Sequence, residues 1–148
     1  MTIEIKNEHE MKAFGAKIGA RLQGGECLEL IGDLGAGKTT FVKGLAEGLK
    51  IDDDVQSPSF TLSRVYAARD DLELDHYDFY RLPDPGILEY ELAESLADPH
   101  KITVVEWANV VQDILPKSRL TLTIIPVTET SRTIKVQSNE ALLKEPGL

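Results

Sequence analysis

Between Ile31 and Phe41 the chain reads Gly32-Asp33-Leu34-Gly35-Ala36-Gly37-Lys38-Thr39-Thr40. Gly32, Gly37, Lys38 and Thr39 satisfy the phosphate-loop pattern GxxxxGK[ST], also called Walker A. Each residue type has a task in that pattern. Glycines permit a turn in which the backbone N–H groups of residues 33–38 point at phosphate oxygens, Lys38 reaches the β/γ-phosphates, and the Thr39 hydroxyl faces Mg²⁺. A helix starting near Lys38 adds the positive end of its dipole at the same place. Asp33, Leu34, Gly35, Ala36, Gly37, Lys38, Thr39 and Thr40 are therefore the predicted nucleotide-binding residues. A turn that only connects two elements would account for Gly32 and Gly37, but not for Lys38 and Thr39.

Such a loop needs an acid near the metal, commonly at the end of an apolar strand. Ile102-Thr103-Val104-Val105-Glu106 offers one, with Glu106 at the C-terminal end, where ligands bind in open α/β sheets. Asp78 is the second candidate, within His76-Tyr77-Asp78-Phe79-Tyr80-Arg81. Strand alternation there puts His76, Asp78 and Tyr80 on one face and Tyr77, Phe79 and Arg81 on the other. A half-exposed strand of hydrogen-bonded polar residues would look the same. A third segment, Gln56-Ser57-Pro58-Ser59-Phe60-Thr61-Leu62, sets three hydroxyls (Ser57, Ser59, Thr61) on a stretch that must return past the phosphate-loop helix. In nucleotide hydrolases such a segment can be a switch ordered by the γ-phosphate; an ordinary hydroxyl-rich turn is the alternative.

The elements that must hold these residues are readable on both sides of the loop. Cys27-Leu28-Glu29-Leu30-Ile31 reads as a buried strand. After the loop, Phe41, Val42, Leu45, Ala46 and Leu49 draw one apolar stripe along a helix. Before it, residues 2–6 alternate as an edge strand. Asn7 and Glu10 then have the spacing of a helix cap, Met11, Phe14, Ile18 and Leu22 mark a helix face, and Gly24-Gly25 closes it. Residues 60–66 and 72–80 read as extended segments joined by a polar turn. Asp84-Pro85 reads as a cap and first helical position, with Leu88, Leu92 and Leu96 as the helix face. Residues 101–107 suit an interior strand, a short helix runs from Asn109 to before Pro116, residues 119–125 and 133–136 alternate, and the tail from 138 to 148 is expected to be loose. The predicted fold is α/β: a three-layer P-loop NTPase domain with a mainly parallel central sheet and antiparallel additions at one side.

Composition sets further bounds. The chain has 148 residues, 42% of them hydrophobic, and no linker-like change in composition, so one domain is expected. No stretch is apolar enough to span a bilayer or act as a signal segment, which predicts a soluble, cytoplasmic protein. Cys27 is the one cysteine and sits in a predicted core strand, so a packed thiol is expected rather than a catalyst. The net charge of -9 and the absence of a Lys/Arg cluster argue against strong direct binding of nucleic acid. Acidic runs at Asp52-Asp53-Asp54 and Arg69-Asp70-Asp71 are expected to be solvated loop tips.

GDLGAGKTTF, SPSFTL, HYDFYRL and VVEW, in that order and spacing from Gly32 to Trp107, resemble the TsaE (YjeE) family of bacterial P-loop ATPases of tRNA threonylcarbamoyladenosine synthesis. The last two elements make the resemblance specific. It implies that Lys38 and Thr39 bind ATP and Mg²⁺, that Ser57, Ser59 and Thr61 are switch-like, and that Asp78 and Glu106 are functional acids near metal and γ-phosphate, with His76, Tyr80, Arg81 and Trp107 in support. Ser59 stands where the family usually has threonine; the hydroxyl is kept and a methyl is lost. The resemblance further implies TsaD and TsaB as partners, with tRNA reached through them. Lys38, Glu106 and Asp78 are the predicted catalytic residues, and Thr39 and Glu106 the predicted metal site. No arginine finger is identifiable, so turnover is expected to be slow without partners. A small-molecule kinase and a nucleotide sensor that does not hydrolyse remain as alternatives; the kinase lacks a basic lid, and the acids weigh against the sensor.

Overall fold

The computed structural model describes residues 1–33, 35–56 and 62–137. Leu34 of the predicted phosphate loop, the hydroxyl-bearing Ser57, Ser59 and Thr61, and the tail from residue 138 lie outside the described residues. In chain order the elements are β1 (Thr2–Ile5), α1 (Glu8–Arg21), β2 (Cys27–Ile31), α2 (Lys38–Gly48), β3 (Ser63–Ala67), β4 (Glu73–Asp78), α3 (Leu88–Ala97), β5 (Lys101–Glu106), a 3₁₀ helix (Ala108–Ile114), β6 (Leu120–Pro126) and β7 (Arg132–Gln137).

The strands form one sheet in the order β1-β7-β6-β2-β5-β4-β3. Its four inner strands β6, β2, β5 and β4 are parallel, as a buried, doubly covered sheet requires. Antiparallel strands lie at both sides rather than at one: β7 and β1 beyond β6, and β3 beyond β4. The short polar turn Arg69–Asp71 joins β3 directly to β4, and a connection that short can only return antiparallel.

Alternation along the inner strands sorts the sheet into two unlike faces. Leu28, Leu30, Leu74, Ile102, Val104, Leu120, Leu122 and Ile124 share a dry cluster with the apolar stripes of α1 and α2. Those stripes are the ones read from sequence: Met11, Phe14 and Ile18 on α1 with Leu22 just past its end, and Phe41, Val42, Leu45, Ala46 and Leu49 at α2. Between the two helices there is almost no room for side chains. A Cβ at Gly15 would lie 2.3 Å from the Phe41 carbonyl oxygen, at Gly19 2.3 Å from that of Leu45, at Gly44 2.0 Å from that of Lys12, and at Gly48 2.3 Å from that of Ala16. Backbone therefore meets backbone along the crossing.

The start of α1 is capped as expected. The Asn7 side chain accepts from the Glu10 N–H at 2.9 Å, and Glu10 Oε1 accepts from the Lys6 N–H at 3.0 Å. Its other end is held by Arg69, which is no loop-tip residue. The Arg69 Nη2 donates to the carbonyls of Gly19, Ala20 and Leu22, satisfying acceptors a helix C-terminus leaves free. Asp70 and Asp71 are exposed, as read from sequence. On the second face, α3 begins at Leu88, later than the Asp84-Pro85 signal indicates. Asp84 Oδ1 instead accepts from the Gly86 N–H at 2.9 Å, so that segment makes a side-chain-closed turn ahead of the helix.

The face beneath α3 and the 3₁₀ helix carries polar groups among Cys27, Tyr77, Phe79, Leu92 and Val105. Glu29, 4% exposed, accepts from Arg119 Nε at 2.8 Å, Gln112 Nε2 at 2.7 Å and Thr121 Oγ1 at 3.3 Å. Ser95 and Thr103 share a hydroxyl contact at 2.6 Å. Lys101 Nζ lies 3.1 Å from Glu73 Oε2 and 3.3 Å from Asp75 Oδ2. Burial, reinforced by its contact with Glu73, pushes the Asp75 carboxyl up to about 6, while that contact and Lys101 hold Glu73 below its ordinary range. No described helix is long and apolar enough to cross a membrane.

Two outcomes follow for stability. Gly44→Ala must push the Lys12 carbonyl aside, and lowers stability in urea unfolding by roughly 1–3 kcal/mol. For Asp75, a raised native value means the folded state holds the extra proton, so its contribution is present at low pH and lost as pH rises through about 6. Glu73 acts oppositely, and only below its ordinary value of 4.5. From about pH 5 to about pH 7, melting curves should therefore show the wild type losing stability relative to Asp75→Asn.

Candidate functional site

Parallel register brings the three C-terminal strand ends to one level. Leu30 of β2 is paired with Glu106 of β5, and Glu106 with Asp78 of β4. The phosphate-pattern loop leaves β2 immediately after Ile31, so Gly32, Glu106 and Asp78 start from the same edge of the sheet. Gly37 has φ of 112°, a left-handed conformation that turns the chain into α2 and that a side chain would strain. Gly37 at the N-cap has no side chain to cap α2, and among the described residues its first amides remain available to an outside acceptor. Ala36 is fully buried, and its N–H closes a turn on the Asp33 carbonyl at 3.0 Å.

Lys38 opens α2 and is 5% exposed. A buried ammonium needs partners, and it has three kinds. Its Nζ donates to the Gly32 carbonyl at 2.7 Å, lies 3.6 Å from Glu106 Oε1, and stands 4.2 Å from the centre of the Trp107 ring. The other carboxylate oxygen of Glu106 accepts from His76 Nε2 at 2.5 Å. His76 is 1% exposed, and among the described residues its Nδ1 has no hydrogen-bond partner. Glu106 is thus fixed from two sides by neighbours on different elements.

Asp78 Oδ1 accepts from the Tyr80 N–H at 2.9 Å, and the Asp78 N–H donates to the Leu62 carbonyl at 2.9 Å. The chain after β4 stays beside β5 through a bond from the Phe79 N–H to the Glu106 carbonyl at 3.1 Å. Trp107 follows β5 in a left-handed conformation, φ 53°, with its ring 4.7 Å from that of Tyr80. The exposed Arg81 places its guanidinium 5.0 Å from the Tyr80 ring. Arg81, Tyr80, Trp107 and Lys38 consequently form a file of two rings between two cations that runs from solvent to the buried ammonium.

The structure therefore joins Lys38, Glu106, His76 and Trp107 directly, sets Asp78 beside Glu106, and reaches Tyr80 and Arg81 through the aromatic contacts. Thr39 lies in the first turn of α2, half-buried, and Thr40 Oγ1 donates to Glu8 Oε1 at 3.3 Å. Thr39 and Glu106, the predicted metal residues, offer oxygen donors only. That suits a hard divalent cation such as Mg²⁺, which keeps several waters and shares phosphate oxygens instead of occupying an all-protein cage. No group of three or more His, Cys, Asp or Glu among the described residues is arranged to hold a metal unaided. Cys27 stays outside the chemistry: it is buried, and burial pushes its thiol up to about 12.

Two features beside the loop carry no signal in the sequence. A cavity of about 300 Å³ opens beside the loop, lined by Asn7, Glu8 and Met11 of the α1 region, by Thr40, and by Thr130 and Arg132 from the β6–β7 hairpin. Arg132 also reaches the loop itself, its Nε donating to the Ala36 carbonyl at 2.8 Å. Apart from Thr40, these residues lie about 90 or more positions from the loop or at another helix, at no motif spacing, and only the fold brings them together.

A family profile described as "Threonylcarbamoyl adenosine biosynthesis protein TsaE" matches residues 5–134. The chain is 41% identical over 122 residues to the tRNA threonylcarbamoyladenosine biosynthesis protein TsaE of Bacillus subtilis (strain 168), covering 80% of this chain and 73% of that one. It is 35% identical over 131 residues to the protein of the same name from Treponema pallidum, covering 88% and 96%. The crystal structure of YdiB from Bacillus subtilis superposes with a TM-score of 0.77 at 34% identity, over 97% of this chain and 91% of that chain.

Trp107 is the single tryptophan, so the contact with Lys38 has its own optical signal. Lys38→Met should shift the emission maximum of the ligand-free protein, whereas Lys12→Met, on an exposed ion pair with Glu47, should leave it in place.

Proposed function

The chain belongs to the TsaE family, and from that membership we propose that it serves tRNA threonylcarbamoyladenosine biosynthesis by binding and hydrolysing ATP to reset a TsaD/TsaB transfer complex. The observation that carries this reading is the meeting of the buried Lys38 ammonium with Glu106 at the level strand ends beside Asp78.

In this reading the loop amides and the uncapped start of α2 receive the phosphates, and Lys38 moves its donors from the Gly32 carbonyl to β/γ oxygens. Thr39 and Glu106 would hold Mg²⁺, which would supply positive charge against those oxygens. Glu106, steadied by the His76 N–H, and Asp78 orient a water toward the γ-phosphorus. The oxygen of that water bonds to phosphorus as the bridge to the β-phosphate breaks, giving ADP and phosphate. The cavity lined by Asn7, Glu8 and Thr130 takes the nucleoside end, on the side of the loop that adjoins the hairpin.

The acidic balance suits a protein that acts through a nucleic-acid-holding partner. Output is then a change in that partner, and the chain needs no pocket for a second small substrate.

Phosphate release with and without purified TsaD and TsaB tests the reading. Lys38→Ala and Glu106→Ala are each expected to lower the stimulated rate about a hundredfold or more. Unchanged stimulated rates in both variants would overturn it, as would the lack of any ATP-sensitive complex on co-purification.

A further inference from the structure

Arg132 is the first residue of β7, and among the described residues its side chain donates to backbone oxygens of two separate segments. Toward the phosphate-pattern loop, Nε donates to the Ala36 carbonyl at 2.8 Å and Nη2 to the Gly35 carbonyl at 3.4 Å. Toward the β6–β7 turn, Nη1 donates to the Thr128 carbonyl at 2.9 Å and the Ser131 carbonyl at 2.8 Å. That turn is itself closed, with the Val127 N–H on the Ser131 carbonyl at 3.0 Å and the Ser131 N–H on Thr128 Oγ1 at 3.0 Å. The guanidinium thus grips the loop from a rigid hairpin.

The consequence lies in peptide geometry. In a trans peptide the C=O and the following N–H point in opposite directions, so drawing a carbonyl one way aims the next amide the other. Holding the Ala36 carbonyl on Arg132 sets the plane of the 36–37 peptide and turns the Gly37 N–H away from the hairpin. Gly37 precedes Lys38 and has the left-handed φ that a concave nest of amides uses to bind anions. A planar fork with donors on both edges can hold two segments at once; a lysine ammonium is a single point.

We propose that Arg132 is a positioning residue for the phosphate cradle: it locks the loop carbonyls outward so that the amides are set for phosphate before any ligand arrives. This rests on the nucleotide-phosphate reading of the loop. It is independent of whether the phosphate is later hydrolysed.

Binding of ATP and of inorganic tripolyphosphate, each with Mg²⁺, to the full chain and to Arg132→Ala and Arg132→Lys tests it by calorimetry, with ligand-free melting temperatures alongside. Expected is a rise in Kd of about tenfold or more for both ligands in Arg132→Ala, from the loss of charged hydrogen bonds. Arg132→Lys should recover part of it. If Arg132→Ala does not fold, a weakening of both ligands by Arg132→Lys alone supports the proposal, and wild-type affinity in that variant overturns it. Loss of ATP affinity with tripolyphosphate unchanged would make Arg132 a nucleoside contact and overturn the proposal. A lower melting temperature with both affinities intact would make it a structural clamp and overturn it equally. Failure of the wild type to bind either ligand would instead sink the nucleotide reading of the loop.

Discussion

The site depends on the register of three parallel strands. With Leu30, Glu106 and Asp78 at one level, the turn after β2 faces the carboxylates that end β5 and β4 without any loop having to reach across. A slip of one residue in β5 would turn Glu106 to the α3 face and bury it among Tyr77 and Leu92. The dry face beneath α1 and α2 guards against such a slip, because Ile102 and Val104 would have to leave it together with Glu106. Core packing and site geometry are thus one constraint, expressed along a single strand of six residues.

That arrangement also explains the unlike faces of the sheet. One face meets two helices that approach closely and carries almost only hydrocarbon. The other is covered by α3 and a 3₁₀ helix, and holds Glu29, Asp75, Ser95, Thr103 and Thr121 in mutual contacts. Breaking one partner of the Glu29 and Arg119 pair would leave a buried charge uncompensated, which costs more than the pair itself contributes. The polar face therefore fixes how its cover sits more than it adds to stability. His76, Glu106 and Lys38 project to the dry side, where weak competition from water strengthens their contacts.

Much of this was legible beforehand, for identifiable reasons. Lys38, Thr39 and the glycines follow a fixed spacing because the loop is one continuous segment. Glu106 and Asp78 each end an apolar or alternating run, and the end of a strand is a position sequence can mark. The stripes of α1 and α2 have a helical period and were readable in full. What stayed hidden depends on tertiary placement. Nothing adjacent to Arg69 indicates that it would close the end of α1, nothing near Arg132 points to the loop, and the contact between His76 and Glu106 needs the β4–β5 pairing. The second antiparallel side rests on the polar turn at Arg69–Asp71, which the sequence marks between two extended segments without marking the edge of the sheet they take. The start of α3 was placed too early because Asp84 and Pro85 suit a turn as well as a helix cap.

The glycine crossing of α1 and α2 has a mechanical meaning. Side chains between helices can change rotamer and let one helix slide against the other; backbone pressed on backbone at Gly15, Gly19, Gly44 and Gly48 leaves no such slack. α2 cannot shift against α1 by rotamer change alone, and the far end of α1 is held by Arg69. Such a crossing makes the two helices a single packing unit, with Glu8 at the start of one already bonded to Thr40 at the start of the other.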